Sequence, residues 1–196
     1  MRERRTAQER MEEIVMASMH ILANDGLGKL TTANIARQVG ISEGAIFRHF
    51  SSKDDILLQT LARIEGILET PEPEPDGCPL EELKKFFLRR LELLRSQPDL
   101  VRILFSMQLE QALGPENHAR ISRLKQNSIR LFRILLTRGQ ETKVIRTDLR
   151  VDLMQILLMG MLQSLVFHAN FAPRENPDPT WTPNDIWKTA EAFLRG

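Results

Sequence analysis

Thr31-Thr-Ala-Asn-Ile-Ala-Arg-Gln-Val-Gly-Ile-Ser-Glu-Gly-Ala-Ile-Phe-Arg-His-Phe50, followed by Ser51-Ser-Lys53, carries the pattern on which the fold turns. Ile35, Val39, Ile41 and Ile46 are apolar at the spacing of two short packed helices, and Ala36 is small enough for a tight crossing. Gly40 stands where the chain must reverse between them, and glycine accepts positive φ at little steric cost. Thr31 or Thr32 can cap the first helix and Ser42 the second. The spacing predicts a helix-turn-helix whose second helix, Glu43 to Phe50, lies in a DNA major groove.

These residues resemble the DNA-binding signature of the tetracycline-repressor (TetR) family. The resemblance rests on Thr32, Ile35 and Ala36; Gly40, Ile41, Ser42 and Gly44; Ile46 and Phe47; His49 and Phe50; and Lys53, Asp54, Ile56 and Leu57. It implies that Thr32, Phe47 and Lys53 hold the phosphate backbone. The aromatic position is commonly Tyr in the family, and Phe47 has no hydroxyl to donate to phosphate. Ala33 is likewise too short for the base contact a longer polar side chain makes there.

With Ile46 and Phe50 turned to the core, Glu43, Gly44, Ala45, Phe47, Arg48 and His49 are left to face DNA. Arg48 can bond phosphate or fork onto a guanine edge, and Ala45 and Phe47 can touch a thymine methyl group. Glu43 can accept from a cytosine amino group but also repels phosphate. The candidate DNA-binding set is therefore Thr32, Ser42, Glu43, Gly44, Ala45, Phe47, Arg48, His49 and Lys53. Arg2, Arg4 and Arg5 fit either an arm along the duplex or a solvated tail.

The chain has 196 residues, 42 % of them hydrophobic, which is enough for one or two packed domains. The formal charge is only +1. Residues 1–53 carry eight Lys or Arg against six Asp or Glu, and the remainder nineteen against twenty, so the small basic excess lies in the DNA-binding end. A single cysteine, Cys78, excludes an internal disulfide framework and fits a reducing, cytoplasmic setting. The charged stretch from Met1 to Arg10 is not a signal peptide. Four scattered histidines form no ligand set, and no Ser-His-Asp order, phosphate-cradling Gly loop or metal spacing occurs, so no enzyme, metal or cofactor is expected.

Helical periodicity dominates, and the chain reads as all-α with about nine helices. Thr6 and Glu9 form a capping box, followed by Met11, Ile14, Val15, Ser18 and Leu22 on one face. Asn24-Asp-Gly26 ends that helix. Ser52 and Asp55 start a fourth helix bearing Ile56, Leu57, Leu61, Ile64 and Leu68. Pro71-Glu-Pro-Glu-Pro-Asp-Gly-Cys-Pro79 cannot continue it and marks the boundary between a DNA-binding domain at 1–70 and a helical domain at 80–196. Helices are expected at about 80–95, 98–113, 116–138, 150–170 and 183–195, separated by Pro98, Gly114-Pro115, Gly139 and the Pro173–Pro183 segment.

Leu153 to Ala169 is apolar nearly all round, yet two Gln, a Ser and a His argue for a buried helix over a membrane span. Gly160 and Ser164 permit close helix approach. Thr182-Pro-Asn-Asp185 opens the last helix with a capping box. The resemblance implies an effector-binding and dimerisation domain whose last two helices, near 153–169 and 183–195, pair with those of a second copy. It also implies a cavity for a small apolar or amphipathic effector, lined by Phe87, Leu104, Phe105, Gln108, Gln111, Phe132, Leu136 and Phe167. Ordinary core packing gives the same spacing. Arg120, Arg123, Arg130 and Arg133 fall near one helix face, where they meet either an anionic ligand or solvent. The expected partners are double-stranded DNA, a second copy and a small-molecule effector, with no membrane, and the expected function is a repressor released from a palindromic operator. A DNA-bound architectural or protein-recruiting factor without an effector is the alternative.

Overall fold

The computed structural model describes residues 5–107, 113–171 and 181–196. Among them are nine α-helices and no strand: α1 Ala7–Asn24, α2 Thr32–Val39, α3 Glu43–Ile46, α4 Lys53–Leu68, α5 Pro79–Ser96, α6 Pro98–Phe105, α7 Gly114–Glu141, α8 Val151–Phe171 and α9 Pro183–Arg195. A 3₁₀ turn, Leu27–Lys29, precedes α2. The chain forms two compact units, Met1–Glu69 with Asp99–Ser122, and Thr70–Pro98 with Arg123–Gly196.

In the first unit α1 packs on α2 and α4. The Thr6 and Glu9 side chains cap α1 reciprocally, Thr6 Oγ1 accepting from the Glu9 amide at 3.2 Å and Glu9 Oε2 from the Thr6 amide at 2.7 Å. Ile14, Leu30, Ile35, Ile46, Ile56 and Ile64 are fully buried. The two buried hydroxyls are satisfied within their own helices, Ser18 donating to the Ile14 carbonyl and Thr60 to the Ile56 carbonyl, both at 2.7 Å. Helix α6 ends at Phe105, Ser106 is not helical and Met107 is helical again, so the helix expected at 98–113 is interrupted at Ser106; 108–112 lie outside the described residues.

A polar cluster ties α6 to α1 within this unit. His20 Nδ1 lies 2.9 Å from Asp99 Oδ2, and Asn24 Nδ2 donates to Asp99 Oδ1 at 3.1 Å. Arg102 donates to Asn24 Oδ1. Nothing in the local pattern of either helix announces this pairing.

In the second unit α5 packs on α8 and α9. Phe86 meets Phe132 edge-on at 4.9 Å between centroids, and Phe87 lies 5.8 Å from Trp187. The Pro/Glu segment before α5 is non-helical and strapped to α7: Arg138 Nη2 donates to the Pro75 and Gly77 carbonyls at 2.8 and 3.0 Å, and Arg130 pairs with Glu72. Gly139 does not separate helices as expected. It is buried inside α7, where a Cβ would collide with Ile145 Cδ1, so the glycine admits the Ile145 side chain to the helix surface.

Helix α8 buries Met154, Gln155, Leu158, Leu162 and Val166, while Leu153, Ile156, Leu157 and Phe167 are exposed. It is long and apolar enough to cross a membrane by length and composition, and Met154, Leu158 and Leu162 are part of the core of this unit. Helix α9 begins with the expected box, Thr182 Oγ1 accepting from the Asp185 amide at 3.3 Å and Asp185 Oδ2 from the Thr182 amide at 2.9 Å.

Candidate nucleic-acid interface

The hairpin is built from its caps inward. Thr31 Oγ1 accepts from the Asn34 amide at 3.2 Å and so starts α2. Gly40 ends α2 at φ +75°, in the left-handed region, with its amide and that of Ile41 both donating to the Ala36 carbonyl at 2.8 and 3.0 Å. Ser42 Oγ then accepts from the Ala45 amide at 3.3 Å and starts α3. Ile35, Ala36 and Ile46 are buried, with α2 packed on α1 and on α3.

The second helix is shorter than the sequence predicts. Regular α-structure stops at Ile46, and the chain continues as a tight turn. The Phe47 and Arg48 amides stand at 3.4 Å from the Glu43 and Ala45 carbonyls, whereas His49 donates to Ile46 at 2.9 Å in a three-residue step. Burying both Ile46 and Phe50, at 0 % and 2 % exposure, demands this tightening of the last turn.

Of the expected contact residues, Ser42, Glu43, Gly44, Phe47, Arg48 and Lys53 are exposed, and Thr32, Ala45 and His49 are half-buried. Phe47 presents 54 % of its surface, an aromatic ring held outward from its own core. Lys53 is the first residue of α4, behind the Ser52 cap, whose Oγ accepts from the Asp55 amide at 3.1 Å. The Asp55 carboxylate accepts instead from the Ser51 amide at 2.9 Å and the Ser51 hydroxyl at 3.1 Å, which anchors the approach to Lys53.

One pairing leaves no mark in the local sequence pattern. The Thr32 hydroxyl donates to Glu43 Oε2 at 2.6 Å, joining the first residues of α2 and α3. Eleven residues separate them, a spacing that neither short helix spans. Of the three N-terminal arginines, Arg2 and Arg4 lie outside the described residues, and Arg5 pairs with Glu13 of α1.

The residues expected to line an effector cavity are only partly brought together. Phe87, Phe132 and Leu136 share one closed core with Trp187. Leu104 is buried in the first unit, Phe105 and Phe167 are exposed, and Gln108 and Gln111 lie outside the described residues. An open groove of about 390 Å³ in the second unit is lined by others, Lys85, Phe86, Arg89, Leu131 and Leu135 among them. Two of the four arginines on one helix face are engaged, Arg120 with Glu65 and Arg130 with Glu72, whereas Arg123 and Arg133 are exposed.

A capped hairpin with a buried inner face and an outward row of Phe47, Arg48 and Lys53, joined to a separate helical unit, defines a helix-turn-helix DNA-binding protein of regulatory type. Residues 14–60 match the family model described as bacterial regulatory proteins, tetR family, and residues 79–172 match a tetracyclin repressor-like C-terminal domain. The chain belongs to the TetR family of transcriptional regulators. It is 29 % identical over 106 residues to the nucleoid occlusion factor SlmA of Haemophilus influenzae, a match covering 52 % of this chain and 49 % of that protein. The chain thus spans about half the length of the curated relatives it matches. Its fold is similar to that of the TetR family regulator PfmR from Thermus thermophilus, with 22 % identity, 98 % of each chain covered and a TM-score of 0.64. It is also similar to AibR in complex with isovaleryl coenzyme A and operator DNA, with 16 % identity, 94 % and 97 % coverage and a TM-score of 0.68.

Proposed function

We propose that this chain is a homodimeric repressor that leaves a palindromic operator when a small apolar or amphipathic effector binds its second domain. In this reading residues 1–70 are the DNA-binding domain and 80–196 the effector-binding and dimerisation domain, working in the cytoplasm. The observation that carries it is the outward face of the hairpin, where Phe47, Arg48 and Lys53 stand exposed on a scaffold locked by Ile35, Ile46 and Phe50. Phosphate contacts from Thr32 and Lys53 set the register, and Arg48 and Glu43 read base edges.

One hairpin offers few contacts, so specificity requires two on related half-sites. The exposed stripe of Leu153, Ile156, Leu157 and Phe167 on α8 supports a second copy as the covering partner, since apolar surface of that extent gains from burial. An effector lined by Phe87, Phe132 and Leu136 must part side chains that now touch, and the energy of that rearrangement is what couples it to DNA release. AibR, similar in fold, was solved with both isovaleryl coenzyme A and operator DNA.

A gel-shift titration with palindromic DNA from the adjoining promoter tests the reading. Binding by the dimer, relieved by apolar or acyl effectors, is expected, and a dimer that never shifts such DNA overturns it. The sequence likeness to a nucleoid occlusion factor favours a second reading, in which DNA binding recruits another protein and no effector acts. Operator binding insensitive to every effector class selects that one.

A further inference from the structure

The Thr32–Glu43 hydrogen bond puts an anion where the DNA backbone is expected. A threonine hydroxyl has one proton to donate. Here it is spent on Glu43 Oε2 at 2.6 Å, the length of a bond to a charged carboxylate. A DNA phosphate bonding the same hydroxyl must therefore remove the carboxylate first. It must also approach an exposed negative charge, because Glu43 lies on the surface beside Gly44 and Phe47.

We propose that Glu43 is an internal competitor for DNA phosphate: in the free protein its carboxylate occupies the Thr32 donor site, and docking exchanges one anion for the other. The proposal rests on the DNA-binding reading above and adds a regulatory consequence to it. On arbitrary DNA the exchange is nearly unrewarded, since the displaced carboxylate gains nothing and stays close to phosphate. On a site with a cytosine amino group at the right place the freed carboxylate acquires a new donor, so the exchange is compensated there alone. Glu43 thereby suppresses non-specific binding more than specific binding, which is discrimination built by a penalty.

The test uses the full chain and a fluorescent duplex of random sequence, with anisotropy titrations at one fixed salt concentration. Glu43→Ala should bind it about tenfold tighter than the wild type, because a charge repulsion disappears and a donor is released. Glu43→Gln, which keeps a neutral acceptor for Thr32, should gain less. In a Thr32→Val background the gain from Glu43→Ala should fall to less than half, since no hydroxyl remains to be freed. A wild type that binds while Glu43→Ala is unchanged or weaker overturns the competitor. So does a gain undiminished by Thr32→Val, which would be charge repulsion alone. Failure of the wild type and every variant to bind either this duplex or the palindromic promoter DNA overturns the DNA-binding reading itself.

Discussion

Arg120 of α7 and Glu65 of α4 form a forked ion pair, with Nε donating to Oε1 at 2.8 Å and Nη2 to Oε2 at 2.7 Å. Both side chains are largely shielded, at 20 % and 35 % exposure, and the hydrogen bond to Glu65 raises the Arg120 pKa. Helix α4 begins with Lys53, so this fork holds the far end of the helix that presents the proposed phosphate contact. Arg120→Ala should lower stability by about 1 kcal/mol. Arg120→Lys should recover little of it, because an ammonium cannot fork. The urea midpoint, at unchanged m-value, checks both.

Gly40 ends α2 at φ +75°, where a Cβ meets no atom within 4 Å, so the penalty for replacing it is purely conformational. Gly40→Ala should cost roughly 1–2 kcal/mol. That corresponds to a fall in Tm of about 2–8 °C. DNA affinity should fall with it, since the crossing angle of α2 and α3 relaxes before the unit unfolds.

The backbone and base contacts proposed for the hairpin separate by salt and sequence. Lys53→Ala should weaken binding to all sequences alike and lower the slope of affinity against salt by about one. Arg48→Ala should also relax sequence preference if its guanidinium forks onto guanine. Parallel titrations on operator and random DNA distinguish them, and equal losses for both variants would remove base reading from Arg48.

The proposed association through α8 is open to a single charge. Leu157, 55 % exposed, and Ile156, 60 % exposed, lie at the centre of the stripe. Leu157→Glu should yield a folded monomer by sedimentation, because burying an unpaired carboxylate in an apolar contact costs more than the contact returns. Operator binding should collapse in parallel. A dimer that persists would move the interface elsewhere.

Acid should unfold the helix starts first. Backbone hydrogen bonds from the Thr6 and Thr182 amides hold the Glu9 and Asp185 carboxyls below their ordinary pKa values of 4.5 and 3.8. A carboxyl depressed in the folded state stabilises it above the unfolded pKa, and that contribution disappears as pH falls through the lower folded value. Stability should therefore decline below about pH 4.5. Glu9→Gln and Asp185→Asn should flatten that limb of a pH series followed by circular dichroism. Both should change the curve little once the pH lies below the depressed folded values, where the native carboxyls are protonated as well.

Much of the hairpin and its supports was legible because it is local. Thr6 with Glu9, Thr31, Ser42 and Thr182 with Asp185 each bond an amide three residues away, and a bond of that reach leaves its mark in adjacent residue types. The core faces of α1 and α4 follow from helical spacing alone. The extent of α3 was less legible, since closing its last turn depends on seating Ile46 and Phe50 together. The effector set was least legible: Phe87, Phe132 and Leu136 share a spacing that serves packing and ligand lining equally.

From its residues alone this chain determined an all-α fold, the positions of its helix starts, the Gly40 reversal and its membership of a DNA-binding class, all consequences of local geometry and period. Only the tertiary structure decided which side of the uniformly apolar α8 is covered, leaving Leu153, Ile156, Leu157 and Phe167 outside. It alone joined Arg120 to Glu65 and spent the Thr32 hydroxyl on Glu43. Those pairings span 55 and 11 residues, and contacts at such separations are set by how helices pack, for which no repeat in the chain is a record.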